Sequence, residues 1–240
     1  MRKIIIVMFI NLIVHTLKGQ SSLKPYEYGS QACLFEIDNP CEIQFIIHKN
    51  VILYKIDNEY ETNLNTPEGL AQSRVFANNK EWANRIYYDT TSKTVRDDAH
   101  FNAIKKLDKR RNYIKFIDKY YYSSENKQMC LINFIIHLEA VAYDIPLLIS
   151  CIKVNSKWYE LNLPTQFWLE EVISNYRPEV LKSIFLGKEI GDQQFNRLLN
   201  QVKVNEYTDI EYLYKQIVEW KKNKDYNLLE RFTFYKKAKE

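Results

Sequence analysis

His137 and Glu139 are the two residues whose types and spacing come nearest to acid–base chemistry. They lie two apart in the apolar segment QMCLINFIIHLEAVA (128–142), a strand by its β-branched and aromatic content. Strand alternation puts both on one face together with Leu131 and Asn133, and puts Ile132, Phe134, Ile136 and Leu138 on the other. Lining a cavity, His137 serves as a general base and Glu139 orients its ring. Any half-solvated antiparallel strand alternates in the same way, and the solvated face is the expected reading. His48, in the polar run His48-Lys49-Asn50, reads as a surface residue of a hairpin turn. His137, Glu139 and a distant His100 match no H-E-x-x-H or C-x-x-C spacing, so neither a metal nor a cofactor is expected. Cys130 is seven residues from His137 and on the opposite strand face, which excludes a Cys–His nucleophile. There is no G-x-S-x-G elbow. The five glycines, at 19, 29, 69, 187 and 191, spell no phosphate-binding loop.

The remaining chemistry belongs to sulfur and to aromatic rings. Cys33 and Cys41 flank the turn-forming run Asp38-Asn39-Pro40, and a bridge between them closes a small loop worth about 2.5 kcal/mol on the chain-entropy argument. For Cys130 and Cys151, a hairpin turning at Tyr143-Asp144 leaves an offset of six residues, about 20 Å along a strand. That is beyond disulfide reach, so two buried thiols are expected there. Tyr120-Tyr121-Tyr122, Trp158, Tyr159 and Trp168 are the aromatic cluster. Exposed rings stack on sugars or grip partner chains, although such rings more often plug the seam between a sheet and its helices. Asn133, His137, Tyr121 and Trp158 are the ligand-binding candidates. Lys105–Arg111 is the strongest basic run, and its embedded Asp108 marks a solvated helix face.

These residues are carried by a chain of 240 residues with 34 Lys+Arg against 30 Asp+Glu. Arg2-Lys3 followed by the apolar run Ile4–Val14 has the form of a secretory signal peptide, too short for a membrane-spanning anchor. Cleavage after Gly19 makes residues 1–19 the leader and Gln20 the mature N-terminus. Losing Arg2, Lys3 and Lys18 brings the mature chain close to neutrality, which argues against nucleic-acid binding. The absence of any Asn-x-Ser/Thr sequon fits a bacterial exported protein, periplasmic or secreted, with no transmembrane span after signal removal.

Residues 20–40 read as irregular and 42–60 as a hairpin. Thr66 as N-cap, Pro67 at N1 and Glu68 in the first turn start a helical stretch running to about Tyr88. A further helix is expected around Ala99–Lys109. Strands at 113–122, 128–142, 145–154 and 157–163 make an antiparallel meander, its last turn at Asn155-Ser156. Helices then follow to the end: to Tyr176, from Pro178 to Leu186, from Asp192 to Val202, from a Thr208/Glu211 capping box to Lys222, and from Leu228 to Lys239. The fold class is therefore α+β, a curved antiparallel sheet packed on helices. The boundary lies at Pro164, between an α+β domain (20–163) and a C-terminal helical extension (164–240).

The order of hairpin, helices and closing meander, ending in V-N-S-K-W-Y-E-L (154–161), resembles the nuclear-transport-factor-2-like superfamily over residues 42–163. Asn155, Ser156, Lys157 and Trp158 match that family's turn-Lys-Trp signature in the last hairpin. This chain departs from the family by opening with a Cys-containing strand region rather than helices. The resemblance implies a cone-shaped sheet around a helix, but that superfamily includes enzymes, binding modules and domains without chemistry, so it assigns no activity. With no complete catalytic motif, the expected function is that of an exported binding protein. Its partner is either a small apolar or saccharide ligand held in a sheet–helix cavity, or another envelope protein. The alternatives are a hydrolase- or isomerase-type enzyme using His137 and Glu139, and an inhibitor or immunity-like partner protein using the helical tail.

Overall fold

The computed structural model describes residues 27–33, 40–89, 93–124, 126–161, 167–204, 207–225 and 227–229. The leader and the expected helix 228–239, apart from its first two residues, lie outside the described residues, as do the Cys33 and Cys41 side chains of the expected bridge. In the backbone, Ala32 is the register partner of Cys41, and Cys33 that of Pro40.

The core of the sheet is the expected meander. β4 (Tyr113–Ser124), β5 (Lys127–His137), β6 (Ile145–Val154) and β7 (Lys157–Glu160) each pair antiparallel with the next. The β6–β7 turn holds Asn155 at φ 47° and Ser156 at φ 67°, the left-handed pair that a tight hairpin needs. Two further strands, β1 (Glu27–Cys33) and β2 (Pro40–Ile47), extend the sheet on the far side of β4. The short pair β8 (Lys203–Val204) and β9 (Tyr207–Asp209) completes it, β9 running parallel to β1. The region expected to be irregular before residue 40 thus contributes a strand.

The expected hairpin at 42–60 does not form. β2 and β3 (Ile52–Tyr54) both pair with β4, β2 opposite residues 118–121 and β3 opposite 113–115. They are successive segments of one interrupted strand, and His48–Asn50 is the interruption rather than a turn between partners. Asn50 takes the left-handed φ of 57° there. At the same level β4 carries a bulge between Phe116 and Asp118, where the His48 amide donates to the Ile117 carbonyl at 2.8 Å. The extra residue reverses the alternation. Ile114 and Phe116 face one layer of helices before the bulge, and Lys119 and Tyr121 face the same layer after it.

That layer consists of α1 (Pro67–Phe76), α2 (Lys80–Arg85) and α3 (Asp98–Lys106). α1 begins as the sequence dictates: the Thr66 hydroxyl accepts from the Gly69 amide at 3.1 Å, and Pro67 fills the first turn. Leu70, Phe76, Trp82 and Phe101 pack from these helices onto Ile132, Phe134 and Trp158 of the sheet.

The opposite face is covered by α4 (Phe167–Asn175), α5 (Pro178–Leu186), α6 (Gln193–Val202) and α7 (Ile210–Asn223). Pro178 opens α5 and Asp192 caps α6 through the Phe195 amide at 2.9 Å, both as expected, and Gly187, at φ 64°, ends α5. α7 is capped by Asp209, whose carboxylate accepts from the Tyr212 amide at 2.9 Å, not by Thr208, which is buried in β9. The architecture is α+β, an open sheet that is antiparallel except where β9 runs parallel to β1, with helices on both faces. The helices α4–α7 share one core with the sheet, in which Val172, Tyr176, Phe185, Leu198 and Leu213 meet Ile43, Phe45, Tyr120 and Leu131.

Candidate functional site

β7 is the last strand at one edge of the sheet, and its outer hydrogen bonds go to two non-strand segments. The Trp158 amide donates to the Leu64 carbonyl and the Glu160 amide to the Ile86 carbonyl, both at 2.8 Å, and the Tyr88 amide returns a bond to Glu160 at 2.9 Å. Between these segments opens a groove of about 980 Å³, walled by the 59–65 segment, by α2 with residues 86–88, and by Lys157 and Tyr159. Trp82, 3% exposed, forms part of its base. Tyr60 is 89% exposed and Tyr88 41%. Tyr60 follows Asn58, which caps the 3-10 turn Glu59–Glu61 by accepting from the Tyr60 amide at 3.0 Å. Three of the groove's charges form a cluster, in which the Arg85 guanidinium reaches Glu59 at 2.5 Å and also contacts Glu81, and Lys93 and Lys157 line the groove as well. The amide side chains of Asn63 and Asn65 complete the wall. Sequence reasoning named Tyr159 but missed Tyr60 and Tyr88. Their signal was tyrosine among charged residues in non-strand segments, N-E-Y-E and R-I-Y-Y-D, masked by a chain holding 18 tyrosines.

The His137/Glu139 pair is not assembled. β5 ends at His137, so strand alternation does not reach Glu139, which instead meets the Arg111 guanidinium at 2.5 Å. His137 takes Asp144 as its carboxylate partner, Nδ1 to Oδ1 at 2.9 Å across the β5–β6 connection. Its ring stacks on Tyr113 at 4.4 Å between centroids, and Tyr113 meets Tyr54 edge-on at 5.9 Å. These three are register neighbours on β3, β4 and β5 and form one aromatic strip, in which Tyr54 is 51% exposed. Burial and the nearby Asp144 charge raise the Tyr113 hydroxyl above its usual pKa. None of these residues lines the β7 groove.

The other candidates are core residues. Asn133, 1% exposed, donates to Asp118 at 2.8 Å, and Asp118 also accepts from the Tyr120 hydroxyl at 2.9 Å. Tyr121 and Trp158 face each other at 5.7 Å beneath α1 and α2. His48 is not a surface residue. Its side chain is 1% exposed, its Nε2 lies 3.4 Å from Glu68, and its ring packs on Phe116. Glu68 in turn accepts from the Lys119 ammonium at 2.7 Å, itself 5.1 Å above the Tyr121 ring. Burial lowers the His48 pKa, with Glu68 opposing it. The sequence hid this network because the bulge that turns Lys119 inward is set by pairing with β5.

Among the described residues, no group of three or more His, Cys, Asp or Glu side chains is placed to hold a metal ion. Among the same residues no helix is long and apolar enough to cross a membrane. Compared with protein-family models, curated protein sequences and solved structures, the chain matches none.

Proposed function

We propose that this is an exported binding protein that takes a hydroxyl-rich ligand, a saccharide, in the groove beside β7. The observation that carries the reading is the pair of exposed rings, Tyr60 and Tyr88, on a groove with a mixed wall. That wall joins the amides of Asn63, Asn65 and Asn84 and the charges of Glu59, Glu81, Arg85 and Lys157 to apolar side chains such as Leu64, Ile86 and Val154. The open Tyr60 ring stacks on the apolar face of a pyranose. Tyr88, whose ring already carries the Lys127 ammonium 5.7 Å from its centroid, offers its free side, and amide and carboxylate groups beside the two rings bond hydroxyls. A small apolar ligand is the weaker fit, since the groove is rimmed by Glu81, Arg85, Lys93 and Lys157 and would leave much of such a molecule in water.

The test is titration with soluble cello-, chito- and malto-oligosaccharides, followed by the fluorescence of Trp82 at the groove base and by amide chemical shifts. Saturable shifts confined to residues 59–65, 81–88 and 157–159 are expected, with Tyr60→Ala and Tyr88→Ala each weakening binding roughly tenfold, the equivalent of about 1.4 kcal/mol. Shifts on the Tyr54–Tyr113–His137 strip in response to a protein partner, with none at the groove, would replace this reading with the partner-protein one. Export is tested by N-terminal sequencing of material from outside the cytosol, which should begin at Gln20.

A further inference from the structure

Cys130 of β5 and Cys151 of β6 stand directly opposite each other in the antiparallel register. The connection turns at Ala140-Val141, since Ile136 pairs with Ile145, three residues before the Tyr143-Asp144 centre that the sequence suggested. That shift removes the whole expected offset. Opposed residues of an antiparallel pair have Cα atoms about 4.5 or 5.5 Å apart, and both spacings lie within the range a disulfide spans. The two side chains enter the same core layer beneath α1–α3, both 0% exposed and both free thiols. Their sulfurs make weak contacts to carbonyls of their own strands, Cys130 to Leu131 at 3.7 Å and Cys151 to Ile149 at 3.9 Å, and the Cys130 sulfur also meets the backbone of Tyr120.

We propose that Cys130 and Cys151 are a disulfide-forming pair that closes across β5 and β6 when the chain folds in the presence of a disulfide-bearing oxidant. One cysteine thiolate attacks the oxidant's S–S bond, forming a mixed disulfide and releasing one thiol. The second thiolate attacks the protein sulfur of that mixed disulfide and releases the other. Two electrons pass from the cysteines to the oxidant, and the two thiol protons end on its sulfurs. Burial pushes both thiols well above their ordinary pKa, and the nearby Glu68 carboxylate pushes the same way. The attacking thiolate is therefore scarce once the layer has closed, so the exchange belongs to the folding chain, and the folded reduced protein resists it. The pairing is independent of which ligand the groove takes.

The experiment is refolding of the full chain in a buffer of oxidised and reduced glutathione, followed by acid quench, alkylation in denaturant and peptide mass spectrometry. Trypsin leaves both cysteines on one peptide, residues 128–153. The closed form is that peptide unalkylated and lighter by two hydrogens, and cleavage at Glu139 or Asp144 then yields two halves joined until reduced. That product is expected after oxidative refolding, both in the parent and in Cys33→Ser/Cys41→Ser. The native reduced protein, held in the same buffer for the same time, should remain alkylatable at both positions once denatured. Full alkylation after refolding, pairing of either residue with Cys33 or Cys41, or equally fast closure in the native protein would each overturn the proposal.

Discussion

Lys119 and Glu68 carry opposite charges into a region where their side chains are 2% and 11% exposed. Removing one partner strands the other in a poor solvent, which costs far more than the pair itself contributes. Lys119→Met should destabilise the fold by about 3–5 kcal/mol in chemical denaturation. Glu68→Gln/Lys119→Met should cost clearly less than the sum of its single substitutions, because no lone charge is left. Additive losses would mean that the pair is not coupled. His48 adds a pH dependence. Its folded pKa is depressed below the usual 6.5 by burial, so near and below that value the unfolded chain binds more protons than the folded one. Stability should rise with pH from His48's depressed folded pKa up to 6.5, and fall as acid is added through the same window. Glu160, raised above 4.5 by burial despite its Arg74 partner, acts with the opposite sign at lower pH. Replacing His48 with Gln should flatten the urea midpoint between neutrality and mild acid. An unchanged slope would assign the dependence to other groups.

At the scale of elements, α1 shows a start written in local chemistry. Thr66→Ala removes the hydroxyl that accepts from Gly69 and should cost about 1 kcal/mol. Gly69→Ala should cost more, although alanine is the better helix former, because the new Cβ would lie 2.0 Å from the backbone oxygen of Asn63. Thermal unfolding of the two variants should rank them in that order, and the reverse ranking would mean that the 59–65 segment yields freely. The same locality explains why α1, α5 and α6 were legible in advance: Thr66, Pro178 and Asp192 act within four residues of themselves. β2 and β3 were misread as partners because the residues of their shared partner, β4, lie 59 to 77 positions downstream of the residues they pair with. The β5–β6 register was misplaced because no glycine or proline marks the centre of that connection. The Thr208 cap failed by one residue because β9 takes Thr208 into the sheet and leaves the capping to Asp209. Of the groove, only Tyr159 was visible in the sequence, since the groove exists where two segments outside the meander bond to the edge of β7.

The sheet has no solvated face along most of its length, because α1–α3 cover one side and α4–α7 the other. An appendage beginning near Pro164 would leave the preceding part able to fold alone, whereas a covering layer would not. The contacts decide between these. Ile43, Phe45, Tyr120, Met129, Leu131 and Ile152 are each at most 3% exposed, and all pack against the later helices. Tyr176 of that layer is buried deeply enough to push its hydroxyl pKa far up, and it reaches the Leu213 carbonyl at 3.2 Å. Stripping the layer exposes a contiguous apolar face much larger than a soluble monomer tolerates. A chain ending at residue 163 should therefore bind a hydrophobic dye, lose its near-ultraviolet circular dichroism and unfold without a sharp transition, while the full chain unfolds in one cooperative step. A truncated chain that melts cooperatively with native aromatic signals would show the later helices to be an independent unit. If the truncation behaves as expected, the inward faces of α4–α7 are committed to the core. The recognition proposed above then uses a surface that the closed layers leave open, the groove at the β7 edge, where exposed rings meet hydrogen-bonding side chains.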